Sequence, residues 1–173
     1  MHFQQIDAAM TICRKHKSES QAAGLNSFEM KEIEHYLLRA MVLLIISHYE
    51  QYIEKLFIKR AEKAGDPEIR SMIAKFLGNK FRSPDLGKIN DMLKALSMSC
   101  HANFQVQIQS KQPQVKASWD SLMTARHAIV HGANGAPISL TWTDLEKDYQ
   151  QSTRVLQALA NALGLTKSDM SRL

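Results

Sequence analysis

Apolar residues recur along the chain at helical spacing, and this pattern predicts helices rather than a sheet. The longest such segment runs from about Phe28 to Ala64, contains neither glycine nor proline, and carries a broad apolar face. Asn26, with Glu29 three residues later, resembles a capping box at its start, and Gly65 suits the position after a helix end. We expect one long helix here, which would span roughly 55 Å.

Shorter helices are predicted on both sides of the long one. Asp66-Pro67 and Ser83-Pro84 each join a capping residue to a proline, a combination typical of a helix start. Residues 18–27 are largely polar and predict a connection. In residues 99–111 apolar residues alternate with glutamines, but a lone strand would have nothing to pair with, so we expect irregular or helical structure. The predicted shorter helices cover residues 3–17, 66–77, 83–96, 114–131 and 143–163.

The composition fits one all-α domain, and we take residues 1–173 as a single unit. Of the 173 residues 45% are hydrophobic, and neither a repeat nor a linker divides them. The longest apolar run, Ala40–Ile46, is far below the ~20 residues that span a bilayer, and the start of the chain does not resemble a secretory signal. The two cysteines form no CxxC pair, which suits a reducing compartment. We expect a cytoplasmic protein without a membrane partner.

The net charge of +5 at pH 7 favours an anionic partner such as RNA, although the same excess would also serve only to keep a protein soluble. Basic residues are frequent in residues 55–63 and 75–88. They could follow an RNA backbone or form an ordinary solvated face, and no aromatic residues are clearly interleaved with them as a stacking platform.

The segment that can carry chemistry is Arg126-His127-Ala128-Ile129-Val130-His131-Gly132, at the end of a predicted helix. RNA carries its own nucleophile, the 2′-hydroxyl, so a ribonuclease needs only a group that moves a proton and a cation that holds the phosphate. Histidine exchanges a proton near neutral pH, and arginine offers a charged planar fork to two phosphate oxygens. Residues five apart on a helix differ by roughly 140°, however, so Arg126 and His131 do not automatically share a face.

This segment resembles the signature of the HEPN superfamily, an arginine followed after four to six residues by a histidine and often a glycine. His48-Tyr49-Glu50-Gln51-Tyr52 in the long helix resembles the aromatic-glutamate element of the RiboL-PSP-HEPN branch, and the resemblance covers about residues 28–163. It implies a HEPN-like helical bundle and a metal-independent endoribonuclease that leaves a 2′,3′-cyclic phosphate. It also implies a homodimer, a role as toxin or defence effector with an inhibitor protein as a further partner, and a Glu50 that orients Arg126.

Other interpretations stay open at these residues. Arg126 could be an ion-paired or carbonyl-capping residue, His131 a cation at a helix end, and Glu50 a solvated carboxylate, although no cation lies at helical spacing from Glu50. His127 stands where the family often has asparagine; with His131 it has a metal-ligand spacing, but the zincin glutamate and an evident third ligand are absent. We expect no metal and no cofactor. The rival function is a catalytically inactive HEPN module that mediates dimerisation or binds a partner protein or nucleotide.

Overall fold

A computed structural model of the chain describes residues 3–22, 26–65, 67–68, 70–71, 73, 83–110, 113–132 and 138–170. Every regular element within these ranges is a helix, so the all-α prediction is confirmed. The helices are α1 (Gln4–Ala22), α2 (Ser27–Ala64), α3 (Leu86–Leu96), α4 (Met98–Gln109), α5 (Pro113–His131), α6 (Trp142–Ala162) and α7 (Lys167–Met170).

Helix α2 has the start and end that its sequence predicts. The Asn26 side chain accepts the N–H groups of Phe28 and Glu29, each at 3.0 Å, and the Glu29 carboxylate accepts the Asn26 N–H at 3.1 Å. This capping box satisfies donors that the first helical turn leaves without an intrahelical partner. At the other end Gly65 has a φ of 77°, a left-handed conformation that glycine adopts without the strain of a side chain.

Two predicted boundaries are wrong, and the first error has a tertiary cause. Helix α1 continues through the predicted polar connection to Ala22, because Ser20 is buried and Lys17 on the same helix forms an ion pair with Glu34 of α2 at 2.7 Å. Helix α3 begins at Leu86 rather than after Ser83, with Asp85 as its capping residue.

Residues 99–111 fall mostly within helix α4, which resolves their ambiguity in favour of a helix. The predicted helix over 66–77 lies mainly outside the described residues; Pro67, Glu68, Arg70, Ser71 and Ile73 are helical. Part of the predicted loop after Gly132 also lies outside them.

The core lies where α2, α5 and α6 pack together. Trp119 of α5 is fully buried and stacks on Tyr49 of α2, with ring centroids 5.3 Å apart and planes within 7°. The Tyr49 hydroxyl donates to the Tyr149 carbonyl and hydrogen-bonds the Ser152 hydroxyl at 2.7 Å, and burial raises the pKa of this phenol well above its usual value. A buried hydroxyl with two partners costs little to desolvate, so this contact fixes α2 against α6.

Within the described ranges, none of the helices combines the length and the apolar character needed to cross a bilayer.

Candidate nucleic-acid cleavage site

Three of the four predicted site residues, Arg126, His127 and His131, line an open cleft of about 580 Å³, whereas Glu50 is not among its lining residues. One wall is the last part of α5, and the other is the segment from Ser83 to Lys88, which enters and begins α3. The α5 wall carries Met123, Thr124, Arg126, His127, Val130 and His131, and the opposite wall carries Ser83, Asp85 and Lys88. A phosphate in this cleft would therefore meet side chains from two separate parts of the chain.

Arg126, His127 and His131 line this cleft together, despite the angular offset of the first and last along α5. Arg126 is half-buried, whereas both histidines are exposed. The rings of His127 and His131 lie side by side, with centroids 4.7 Å apart and planes tilted by 45°. The arginine is thus supported by the fold, while two imidazoles remain open to a substrate.

No carboxylate or carbonyl in the described part of the chain forms an ion pair or a hydrogen bond with Arg126. This weakens the interpretation of Arg126 as a structural ion pair. Its guanidinium presents donors in a planar fork. A half-buried cation of this kind is suited to bind an anion that enters the cleft.

The wall formed by the segment from Ser83 to Lys88, called the Ser83 wall below, is held by contacts from two core helices. The Glu50 carboxylate of α2 accepts the Ser83 N–H at 2.6 Å, and the Trp119 indole of α5 donates to the Pro84 carbonyl at 3.0 Å. Glu50 and Arg126 share no hydrogen bond or ion pair in the described structure. Glu50 therefore has a partner outside its own helix, and that partner is the Ser83 backbone. The prediction that Glu50 orients Arg126 stays a prediction.

Asp120 lies on α5, next to Trp119 and ahead of the Arg126–His131 segment. Burial raises the pKa of its carboxyl group above the usual value; Lys116 counteracts this and the nearby Asp85 carboxylate adds to it. The charged form of Asp120 is therefore disfavoured by its surroundings. Sequence reasoning did not single out Asp120 or Asp85, because only the fold brings α5 and the start of α3 together.

Arg39 is a further contact that the sequence did not reveal. Its guanidinium reaches the Ile129 carbonyl near the end of α5, at 3.5 Å, and so joins the middle of α2 to the site helix. Carbonyls in the last turn of a helix lack intrahelical donors, so a cation is favourable there. On α2 alone, Arg39 has no pattern that would distinguish it from a solvated residue.

A family model described as RiboL-PSP-HEPN matches residues 14–164 of the chain. The chain belongs to the RiboL-PSP-HEPN family. The match covers most of the chain, from within α1 to just beyond α6, and includes the Arg126–His131 segment and Glu50. A search of curated proteins and a search of solved structures each found no match.

Family membership confirms the resemblance drawn from the sequence and indicates a nuclease or nucleotide-binding role for this HEPN domain. RNA and a second copy of the chain are partners that the family suggests in general terms. Family membership alone does not assign RNA cleavage to the chain, because one fold can carry several functions.

The basic residues that precede the cleft are partly engaged within the domain. Lys59 pairs with Glu62 at 3.2 Å, and Lys63 donates to the Gly164 carbonyl at 3.0 Å and contacts Asp169 at 3.4 Å. Lys75, Lys80 and Arg82 lie outside the described residues. The contacts of Lys59 and Lys63 favour a structural role for this part of the basic stretch.

The residues around His127 and His131 offer no complete metal site. In the described ranges, no group of three or more histidine, cysteine, aspartate or glutamate side chains is arranged to hold a metal ion. Catalysis without a metal nevertheless stays a prediction, because only a chelation experiment tests it.

Proposed function

We propose that this HEPN domain is a metal-independent endoribonuclease whose site is formed by Arg126, His127 and His131. The observation that carries the proposal is that these three side chains line one cleft, with the cation half-buried and both imidazoles exposed. A catalytically inactive module has no need of this combination.

The reaction uses the 2′-hydroxyl of the RNA as nucleophile. One histidine takes the proton of this hydroxyl while the 2′-oxygen forms a bond to phosphorus. The bond from phosphorus to the 5′-oxygen breaks, and a protonated histidine gives a proton to that leaving oxygen. The products are a 2′,3′-cyclic phosphate and a 5′-hydroxyl, so protons and bonds balance without a metal or an oxidant.

We assign proton transfer primarily to His131 and phosphate binding to Arg126. The developing phosphorane carries additional negative charge, and a guanidinium held beside it lowers the barrier. His127, whose ring lies 4.7 Å from that of His131, is the nearest second imidazole in the same copy. It is suited to donate its own proton to the leaving 5′-oxygen while His131 takes the proton of the 2′-hydroxyl, or to orient the phosphate.

The active form in this proposal is a symmetric homodimer whose two Arg126–His131 segments face each other. Its support is an exposed apolar strip beside the site: Tyr36 and Leu43 of α2 are 67% and 40% exposed, and Val130 of α5 is 47% exposed. Arg39 lies between Tyr36 and Leu43 on α2 and contacts the carbonyl that precedes Val130, so the strip is continuous with the cleft. In a two-fold pairing the same strip would be covered on both copies.

The test is incubation of the purified protein with mixed RNAs, followed by end-group analysis. Wild-type protein should produce 2′,3′-cyclic phosphate ends, and Arg126→Ala and His131→Ala should each lower the rate by at least about 100-fold. Arg154→Ala and His101→Ala are matched controls, because neither residue lines the cleft, and they should cleave at the wild-type rate.

RNA with a 2′-deoxyribose at each cleavage position should resist the enzyme, because its nucleophile is missing. Helical circular dichroism should be the same for all variants. If folded wild-type protein produced no cleavage, or if either site variant cleaved at the wild-type rate, the assignment would fail and the partner-binding module would replace it.

A further inference from the structure

We infer that Lys88 is a second phosphate-binding residue of the cleft, and that Glu50 is the positioning residue that holds the wall carrying it. The inference rests on the proposed ribonuclease function and extends it to the wall opposite Arg126. It gives Glu50 a defined task that does not involve contact with Arg126.

Glu50 contacts the backbone of Ser83. The carboxylate is half-buried on α2 and accepts the Ser83 N–H at 2.6 Å. A hydrogen bond from a backbone N–H to a charged carboxylate is stronger than one between neutral groups. Glu50 therefore fixes the position of one backbone amide in a segment that otherwise has no regular structure.

Ser83 has an unusual backbone conformation. Its φ is 57°, in the left-handed region, which is strained for a residue with a side chain. Such a conformation persists only where its surroundings impose it. Here the Glu50 carboxylate on one side and the Trp119 bond to Pro84 on the other provide that restraint.

Ser83 is in turn hydrogen-bonded to Lys88. The Ser83 carbonyl accepts the Asp85 N–H at 2.8 Å and the Lys88 ammonium at 3.1 Å. The same residue thus bonds Glu50 through its N–H and Lys88 through its carbonyl. Moving Ser83 would move the Lys88 ammonium, which is how a glutamate on α2 acts on a lysine of α3.

Lys88 brings a positive charge to the cleft. Lys88 lines the cleft together with Arg126 and His131, from the opposite wall. Its contact with Asp85 is 3.6 Å long, and both side chains are about half-exposed, at 45% and 50%. An exposed pair of this kind contributes little, so a phosphate can compete with Asp85 for the ammonium. Two cations from two walls would hold the backbone of an RNA strand across the cleft.

The other role open to Lys88 is purely structural, as a donor that ties down the Ser83 carbonyl. Lys88→Gln separates the two roles, because the glutamine amide keeps a donor but loses the charge. Lys94→Gln is the matched control. Lys94 lies on the same helix, is similarly exposed at 51%, and pairs with Asp91 at 3.7 Å with the same spacing along the chain.

The experiment measures binding of a fluorescent 2′-deoxy-substituted RNA, which cannot be cleaved, over a range of salt concentrations. We expect Lys88→Gln to weaken binding about three- to tenfold and to lower the slope of log affinity against log salt by about 0.7, the value of one phosphate contact on a single strand. Lys94→Gln should match the wild type in both. An unchanged affinity and slope for Lys88→Gln would leave Lys88 with the structural role alone and overturn the inference.

The Glu50 part is tested with Glu50→Ala, Glu50→Gln and the control Glu54→Ala one turn further along α2. Glu50→Ala should speed hydrogen exchange at the Ser83 amide and weaken RNA binding as much as Lys88→Gln does. The double variant should be no weaker than either single one, because both act on the same contact. Glu50→Gln keeps an acceptor oxygen and should rescue most of the binding.

The same variants are then assayed for cleavage of unmodified RNA. Loss of the Lys88 charge should raise KM and leave kcat within about twofold, because ground-state binding is what is removed. Equal weakening by Glu54→Ala, additive losses in the double variant, or unchanged exchange at Ser83 would each refute the positioning role. Because binding is measured without cleavage, a wild-type protein that binds RNA but never cleaves it would refute the proposed function and not this subsite.

Discussion

The indole of Trp119 should stabilise both the core and the site, and Trp119→Phe is the substitution that isolates its hydrogen bond. Phenylalanine keeps an aromatic ring against Tyr49, whose centroid lies 5.3 Å away, but it has no N–H. The Pro84 carbonyl then loses its donor at 3.0 Å. Pro84 is itself buried, so water cannot easily replace that donor.

The expected cost follows from these contacts. A buried acceptor left without a partner costs about 1 to 3 kcal/mol. Replacement of a fully buried indole by a smaller ring leaves unfilled space, which adds about 1 kcal/mol. We therefore expect Trp119→Phe to lower the free energy of unfolding by about 2 to 4 kcal/mol. Because the same bond holds the Ser83 wall, RNA cleavage should also fall under conditions where the variant is folded.

The matched control is Trp142→Phe, which also removes an indole donor. The Trp142 N–H bonds the Glu146 carboxylate at 2.6 Å, but Trp142 is only half-buried and Glu146 keeps its contact with Arg14. Its loss should cost about 1 kcal/mol. Urea unfolding followed by circular dichroism measures both. If Trp119→Phe proved no less stable than Trp142→Phe, the bond to Pro84 would not be the restraint that we describe.

Four further outcomes are expected. Equimolar mixing of Arg126→Ala and His131→Ala should restore part of the wild-type cleavage rate, because mixed dimers keep one Arg126 and one His131 at the facing segments; no recovery would show that each copy works alone. EDTA should leave cleavage unchanged, and loss that zinc restores would favour the metal site at His127 and His131. Val130→Asp should convert the dimer to a monomer in light scattering, whereas a dimer that persists would exclude the strip beside the site. For Asp120, burial raises the folded pKa above the ordinary 3.8, so the destabilisation is absent below the unfolded pKa, grows as the pH rises above it, and is complete above the folded pKa. Asp120→Asn should therefore increase stability at pH 7 and make no difference at pH 3, and an equal effect at both would refute this.

The elements that local rules govern could be predicted from the sequence. The long helix has the expected cap at Asn26 and the expected left-handed glycine at its end, because both signals act within a few residues of the boundary. The pairing of Arg126 with His131 was likewise visible as a motif. One error occurred where a distant contact overrode the local signal, at Ser20, where burial continued a helix through polar sequence.

The sequence by itself determined that the chain is helical, that one helix is long, and which residue types can carry ribonuclease chemistry, since periodicity and capping are local properties. Only the tertiary structure decided what surrounds the Arg126–His131 segment. The bond from Glu50 to the Ser83 amide joins residues 33 positions apart, and that from Trp119 to Pro84 joins residues 35 apart. Backbone amides and carbonyls leave no trace in a sequence pattern, because every residue except proline has both. The wall opposite the histidines therefore became visible only when the packing of α2, α3 and α5 brought these groups together.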